Sequence, residues 1–265
     1  MIELKNEKIA IPVVLLAGLI WSFGPLVVRY MDQPNLVPWQ YIFARGLTIF
    51  LILNLYLFFE EGKDFYKNYL KIGMSGVIGG TGLGIAMITF IYSITNTSAA
   101  VTLLCLAAMP FFTALLGFLF LKEKISLNVW IAIFIATVGI IIIAIGNTEK
   151  NSLLGLIFGM TSSIGFSVFS VTLRWKKETP KFTTVAFAGL FCFVVAAIVI
   201  LSNDMVFLSS SYNGALFSIH GTLVCMGLIL YSIGSKAIPA AELTLLSLTE
   251  VVGGIFLVWV PILGI

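Results

Sequence analysis

Apolar runs about twenty residues long recur down the whole chain, and they restrict its fold more than any other feature. A stretch such as "WIAIFIATVGIIIIAIG", which begins at Trp130, carries no charged residue. A bilayer core is crossed by roughly 20 apolar residues of helix. With no water at that depth, only helices and closed barrels satisfy their own backbone. Barrel strands read as short segments of alternating polarity, whereas these runs are continuous. The expected fold class is an all-α polytopic membrane protein. Composition agrees: 60% of residues are hydrophobic and 10% charged, against about 25% charged in soluble domains. So few charges cannot clothe a water-facing surface, so the lipid bilayer is the expected partner of most of it. A net charge of +3 gives no support to nucleic acid binding. Cys105, Cys192 and Cys225 each fall inside an apolar run and read as small hydrophobes, not as a pair.

Nine spans are predicted, at about 9–28, 39–59, 72–94, 97–121, 127–145, 152–173, 182–201, 215–233 and 239–263. The loops between them are short, with no room for a soluble second domain. The first run lacks a small-residue cleavage site and is read as a retained span. Lysine and arginine collect on cytoplasmic loops. With the N-terminus inside, twelve of these residues fall on that side, among them Lys63, Lys67, Lys71, Lys122, Lys124, Arg174 and Lys176. The other side holds Arg29 and Lys150, so the N-terminus is expected in the cytoplasm.

The chain also repeats itself. "TLLCLAAMPFFTALLGFLF" from Thr102 and "TLLSLTEVVGGIFLVWVPI" from Thr244 share an opening and a spacing, 142 residues apart (244 − 102). Upstream, "YSITNTSAAV" is echoed by "YSIGSKAIPAAEL". Span four thus matches span nine, and span three matches span eight. A five-span unit makes the two copies enter the membrane from opposite sides. Such inverted repeats are typical of secondary transporters, with the solute site near the midplane.

"TSAAVTLLCLAAMPFFTALLGFLFLKEKIS" and "IPAAELTLLSLTEVV" resemble the matching ends of the two repeats in EamA-type transporters of the drug/metabolite transporter superfamily. "YIFARGLTIFLIL" resembles that family's second span, which commonly carries an arginine near its beginning. The resemblance implies ten helices in two five-helix repeats. Residues 1–146 are then the first repeat, and 147–265 the second with four spans. The position matching Glu123 of "LKE" is Ile265 (123 + 142), so the natural chain is expected to continue into a tenth helix. The resemblance also implies a bacterial cytoplasmic membrane and a small organic metabolite as solute.

Ionisable groups at bilayer depth cost roughly 2.5–3.5 kcal/mol on insertion scales, so they are expected to face a cavity or a partner. Glu250 lies midway along its span, and Arg45 lies about seven residues, roughly 10 Å, inside the outer end of the second. Glu250 is expected to bind a cationic group or carry a proton, because desolvation disfavours a charged carboxylate. Arg45 is expected to hold a carboxylate. A helix-to-helix pair, or an arginine reaching to the headgroups, is the plainer alternative for each. His220, the sole histidine, reads as a proton acceptor or a packing residue. Trp21, Tyr41, Tyr92 and Trp259 are candidate cavity walls, whereas Trp39 and Trp130 suit the membrane interface. Gly76, Gly80 and Gly84, and likewise Gly155 and Gly159, recur four apart, a spacing that lets helix backbones approach closely. Pro25 and Pro110 lie inside spans, where each can kink its helix and free a carbonyl.

A carrier accounts for these features together. No phosphate-binding loop is present, so transport is expected to be gradient-driven. One histidine without an acid partner offers no nucleophile–base set, and two asymmetric charges do not make a channel's ring. No cofactor is expected, and no metal, for want of ligand spacing. Expected partners are a small-molecule solute, protons as coupling ion and lipid, with the chain a monomer or a homodimer. Amino acids or related solutes, exported, fit one acid, one base and aromatic walls. Uptake of a nucleoside-bearing metabolite, or a non-transporting scaffold, is the alternative.

Overall fold

A computed structural model of the chain describes residues 6–124, 126–146, 153–176 and 178–259. Among them the regular structure is all helical. Helices α1 (Glu7–Trp21), α2 (Gly24–Arg29), α3 (Pro38–Glu61), α4 (Lys67–Leu70), α5 (Gly73–Asn96), α6 (Ala99–Leu106) and α7 (Met109–Leu116) build the first part. They are followed by α8 (Leu127–Gly146), α9 (Leu153–Trp175), α10 (Lys181–Ser202), α11 (Ser211–Gly234), α12 (Ala240–Ser247) and α13 (Thr249–Trp259). Eight segments of the described residues are long and apolar enough to cross a membrane. They fall within four residues of eight of the predicted spans at nearly every boundary. The second is longer, because α4 extends it to Leu70. Where the fifth crossing was expected, α8 forms a helix of 20 residues that stands outside those eight. The end of the ninth predicted span, 260–263, lies outside the described residues.

Helix starts follow from local chemistry. The side chains of Asn6, Ser98 and Ser210 accept from Lys8, Val101 and Asn213 backbone N–H at 3.0, 3.3 and 3.0 Å. Each takes one donor that the first turn leaves unpaired. Pro38 opens α3, where its missing N–H costs nothing. Gly62, at φ 67°, ends the same helix in a conformation that only glycine adopts freely.

Three crossings are broken. The first breaks at Ser22–Phe23, ahead of Pro25, and the fourth at Ala107–Ala108, ahead of Pro110. The ninth breaks at Leu248 with no proline to mark it. Carbonyls near the breaks are taken up by hydroxyls. Ser163 and Ser167 of α9 donate to Cys105 O at 2.5 Å and Met109 O at 3.0 Å. Ser22 donates to Leu19 O at 2.6 Å, and Thr249 donates to Leu246 O at 3.1 Å and across to Leu15 O at 3.3 Å.

The interior combines buried aromatic and aliphatic side chains such as Tyr41, Phe169 and Leu53 with glycines and small hydroxyl residues, while large apolar side chains such as Leu51, Leu55, Phe134 and Ile198 point outward. Lipid is as apolar as leucine, so helices gain by close approach and not by hiding hydrophobes. Gly82 and Gly165 mark the crossing of α5 and α9: a Cβ on Gly165 would sit 2.5 Å from the Gly82 carbonyl oxygen. Gly76, Gly80 and Gly84 turn the adjoining face of α5 to α10, against Thr184, Phe187 and Phe191. Gly155 lies against Thr97, and Gly159 against Cys105 and Ser93. The most extensive pairings join the two halves of the chain: α5 with α9, α3 with α10, and α1 with α11.

Gly165→Val is therefore expected to lose about 1–3 kcal/mol of stability, read as a lower thermal midpoint in detergent. Ile198→Val, on the outward face of α10, is expected to stay within about 0.5 kcal/mol of wild type.

Candidate functional site

The three breaks meet around one cavity of about 60 Å³. Trp21 reaches it from the end of α1, Leu106 and Met109 from either side of the fourth-span break, and Glu250 from the first turn of α13. At roughly 15 Å³ per water the space holds about four waters or a similarly small group. Arg45 lies seven residues into α3 (45 − 38), and His220 nine into α11 (220 − 211). Glu250 lies ten residues beyond the start of α12 (250 − 240). At about 1.5 Å per residue these depths are roughly 10, 14 and 15 Å, in a core of about 30 Å. The polar groups of the cavity thus sit in its middle third.

Arg45 is 6% exposed, and its Nε and Nη1 are buried without a hydrogen-bond partner. Its guanidinium carbon lies 5.5 Å from the centre of the Phe90 ring, which steadies the cation without using its N–H groups. A buried unpaired donor costs about 1–3 kcal/mol, more when charged. Such a group in a native fold demands an explanation. Glu250 is half-buried and lines the same cavity. The described ion pairs are Asp64–Lys67 and Glu123–Arg174, so Glu250 and Arg45 share the space without closing on each other. The site presents one cation and one carboxyl group to whatever fills it.

His220 is buried, with its Nδ1 hydrogen-bonded to the Tyr41 hydroxyl. Tyr41 stacks on Phe217 at 4.8 Å. The other ring nitrogen lies over Gly24, where a Cβ would come within 2.6 Å of it. Trp21 is held by its indole N–H, which donates to Val224 O at 3.2 Å across the notch at Gly227. Its ring packs edge-on to Phe166 at 5.7 Å and tilted to Tyr231 at 5.6 Å.

Four of the sequence-predicted residues, Glu250, Arg45, Trp21 and His220, thus come together. Tyr92 does not line the cavity; it packs between Trp39 at 5.3 Å and Phe158 at 5.2 Å. Tyr41 stands behind His220 and not on the wall. The side chain of Trp259 lies outside those described. The glycines at 76, 80, 84, 155 and 159 serve helix crossings away from the cavity. Phe90, Met87, Met109, Phe166 and Ser162 were not singled out from sequence, and all five line it.

A family model described as the EamA-like transporter family matches residues 8–145. That is 138 of 265 residues, more than half the chain. The chain belongs to the EamA-like transporter family. It is 29% and 28% identical to two proteins of Helicobacter pylori, strains J99 and 26695, each described as an uncharacterized transporter. Both alignments run over 206 residues, 77% of this chain and 67% of the relative. A protein of known crystal structure superposes with a TM-score of 0.71 at 18% identity, over 95% of this chain and 87% of that one. That likeness shows the fold. This EamA-like transporter is a multi-pass membrane protein, and its small-molecule cargo follows from the family.

A buried charge without hydrogen-bond partners costs stability. Arg45→Met, which keeps the length and removes the unpaired charge, is expected to leave the thermal midpoint unchanged or raise stability by about 1–2 kcal/mol. A loss of that size in the same melting experiment would mean that Arg45 holds helices together.

Proposed function

We propose that this chain is a secondary active transporter that exports small organic metabolites, amino acids or related solutes, across a bacterial cytoplasmic membrane by alternating access. The midplane cavity, with its unpartnered Arg45 and facing Glu250, carries the reading. A carboxylate on Arg45 and an ammonium group near Glu250 complete each other's charge, and the apolar wall of Leu83, Met87, Leu228 and Val224 takes a small side chain. A space of about 60 Å³ suits a small solute better than a nucleoside-bearing one, which fits only after a large opening. No enzymatic activity is assigned to the site.

Alternating access needs two halves that rock against each other, and the pairing pattern supports an inverted repeat. Exchange spans one to five with six to ten. The pairing of α5 with α9 then becomes that of α11 with α1, and α5 with α10 becomes α11 with α3. The pairing of α3 with α10 maps onto itself, and there Gly46 and Gly189, 143 residues apart (189 − 46), each place a Cβ position 2.9 Å from the other's carbonyl oxygen. With α8 taken as the fifth crossing, the described residues hold nine. The excess of lysine and arginine at one end supports a cytoplasmic N-terminus.

The test is counterflow of labelled amino acids and related metabolites in proteoliposomes at two pH values, with wild type beside Glu250→Gln and Arg45→Met. The expected result is saturable exchange of a small zwitterion, lost in Arg45→Met and no longer pH-dependent in Glu250→Gln. Saturable transport untouched by both substitutions would overturn the assignment of this cavity.

A further inference from the structure

We propose that Glu123 and Arg174 form the latch of a gate at the lysine-rich end, and that this pair must part before the cavity opens to that face of the membrane. The inference rests on the carrier reading above.

Glu123 follows the fourth crossing, whose last turn widens to π geometry over Gly117–Leu121. Lys122 then takes φ 55°, a left-handed conformation unusual for a lysine, and turns the chain back over the helix ends. The Glu123 carboxylate uses both oxygens. Oε1 accepts from Arg174 Nε at 2.6 Å, and Oε2 accepts from Ala240 N–H, at the start of α12, at 3.0 Å. Arg174, in the last turn of α9, also donates through Nη1 to Ser235 O at 3.0 Å and to Ile238 O. The two side chains are 20% and 22% exposed, far more shielded than the Asp64–Lys67 pair at 67% and 51%. Shielding and charge-assisted bonds place this pair above the negligible worth of an ordinary surface bridge.

Position makes it a latch. Glu123 belongs to the first half of the chain, and every group it gathers, directly or through Arg174, belongs to the second. Between latch and cavity lies an aromatic layer in which Tyr231 meets Trp21, Phe166 and Phe169 at 5.6, 5.2 and 6.2 Å. Tyr231 is tied in turn to Ser170 at 2.6 Å. A solute moving from the cavity to this face must separate that layer, and the layer cannot part while Glu123 clamps α9 to the start of α12. At the opposite end a neutral tie joins the halves: the Asn213 amide exchanges hydrogen bonds of 3.0 Å with the Asp32 backbone.

The test needs no solute. In a chain with its three cysteines replaced by alanine, Leu228→Cys places a thiol in the cavity wall. Its reaction with a membrane-impermeant trimethylammonium methanethiosulfonate is timed from each face, in right-side-out and inside-out vesicles. Lys63→Cys reports which face carries the lysine-rich end. Glu123→Gln keeps an acceptor for Ala240 N–H and removes the charge; Glu123→Ala removes both. Each is expected to speed labelling from the lysine-rich face about tenfold, with no gain from the other face. Lys67→Ala, which breaks the exposed pair, is expected to change neither. An unchanged rate in Glu123→Gln protein that elutes as a single sharp peak would overturn the latch, and so would an equal gain from both faces. A chain that exchanges nothing in the counterflow panel yet gains labelling from one face keeps the latch and loses the carrier reading.

Discussion

The need to satisfy every backbone group without water governs this structure. In hydrocarbon, a helix can break only where a neighbour supplies the missing partner. Here α9 is that neighbour for the fourth crossing. Ser163 and Ser167, four residues apart on one face, donate to the carbonyls of Cys105 and Met109 on either side of the break. They reach those oxygens because Gly159 lets α9 come close, its Cβ position lying 2.8 Å from that of Cys105. A glycine-and-serine face that looks like packing alone is thus also what permits a cavity at the midplane. Thr249, at the break of the ninth crossing, donates to Leu246 O of its own crossing and, over the notch at Gly18, to Leu15 O of the first.

The scaffold approaches two-fold symmetry while its chemistry does not. Gly80 abuts Phe187, and Gly221, 141 residues later (221 − 80), abuts Arg45. Across the α3–α10 crossing the register set by Gly46 and Gly189 matches Arg45 to Ala188 (45 + 143), so the arginine has no charged counterpart in the other half. Glu250 corresponds to Ala108 (250 − 142) in the same way. Repetition supplies the broken helices and the crossing points twice, and substitution at single positions supplies the charges once. A cavity built this way draws its cation from the first half of the chain and its carboxyl group from the second.

Much of the fold was legible because apolar run length and proline placement act locally. The spans, and the breaks ahead of Pro25 and Pro110, needed no knowledge of packing. The break at Leu248 was hidden because no proline marks it; its cause is a tertiary crossing with Gly18 and Leu15. The cavity residues that could be read were Trp21, ahead of Pro25, and the ones whose burial is costly, Arg45, Glu250 and His220. The walls could not be read, since an apolar residue facing a cavity and one facing lipid look alike in sequence. Tyr92 shows the limit. Its hydroxyl drew attention, yet Phe90, two residues earlier and about 200° around the helix, is the one that faces Arg45. The "LKE" motif was legible as a family mark, while its partner Arg174, 51 residues away in sequence, was only counted as a loop charge.

One short rod connects the two charged features of the molecule. Helix α12 is eight residues long, about 12 Å. Its first backbone N–H is held by Glu123, and its far end breaks into α13 at the turn that carries Glu250. Eight residues of hydrogen-bonded helix do not stretch or compress on the scale of a gating motion, so displacement at one end reaches the other. The break at Leu248 is seated on Gly18 of α1, where a Cβ would lie 3.0 Å from Ser247 O and 3.2 Å from Glu250 N. A carboxylate in the cavity and a carboxylate at the lysine-rich end are in this way linked through one short helix, though no side chain of either touches the other.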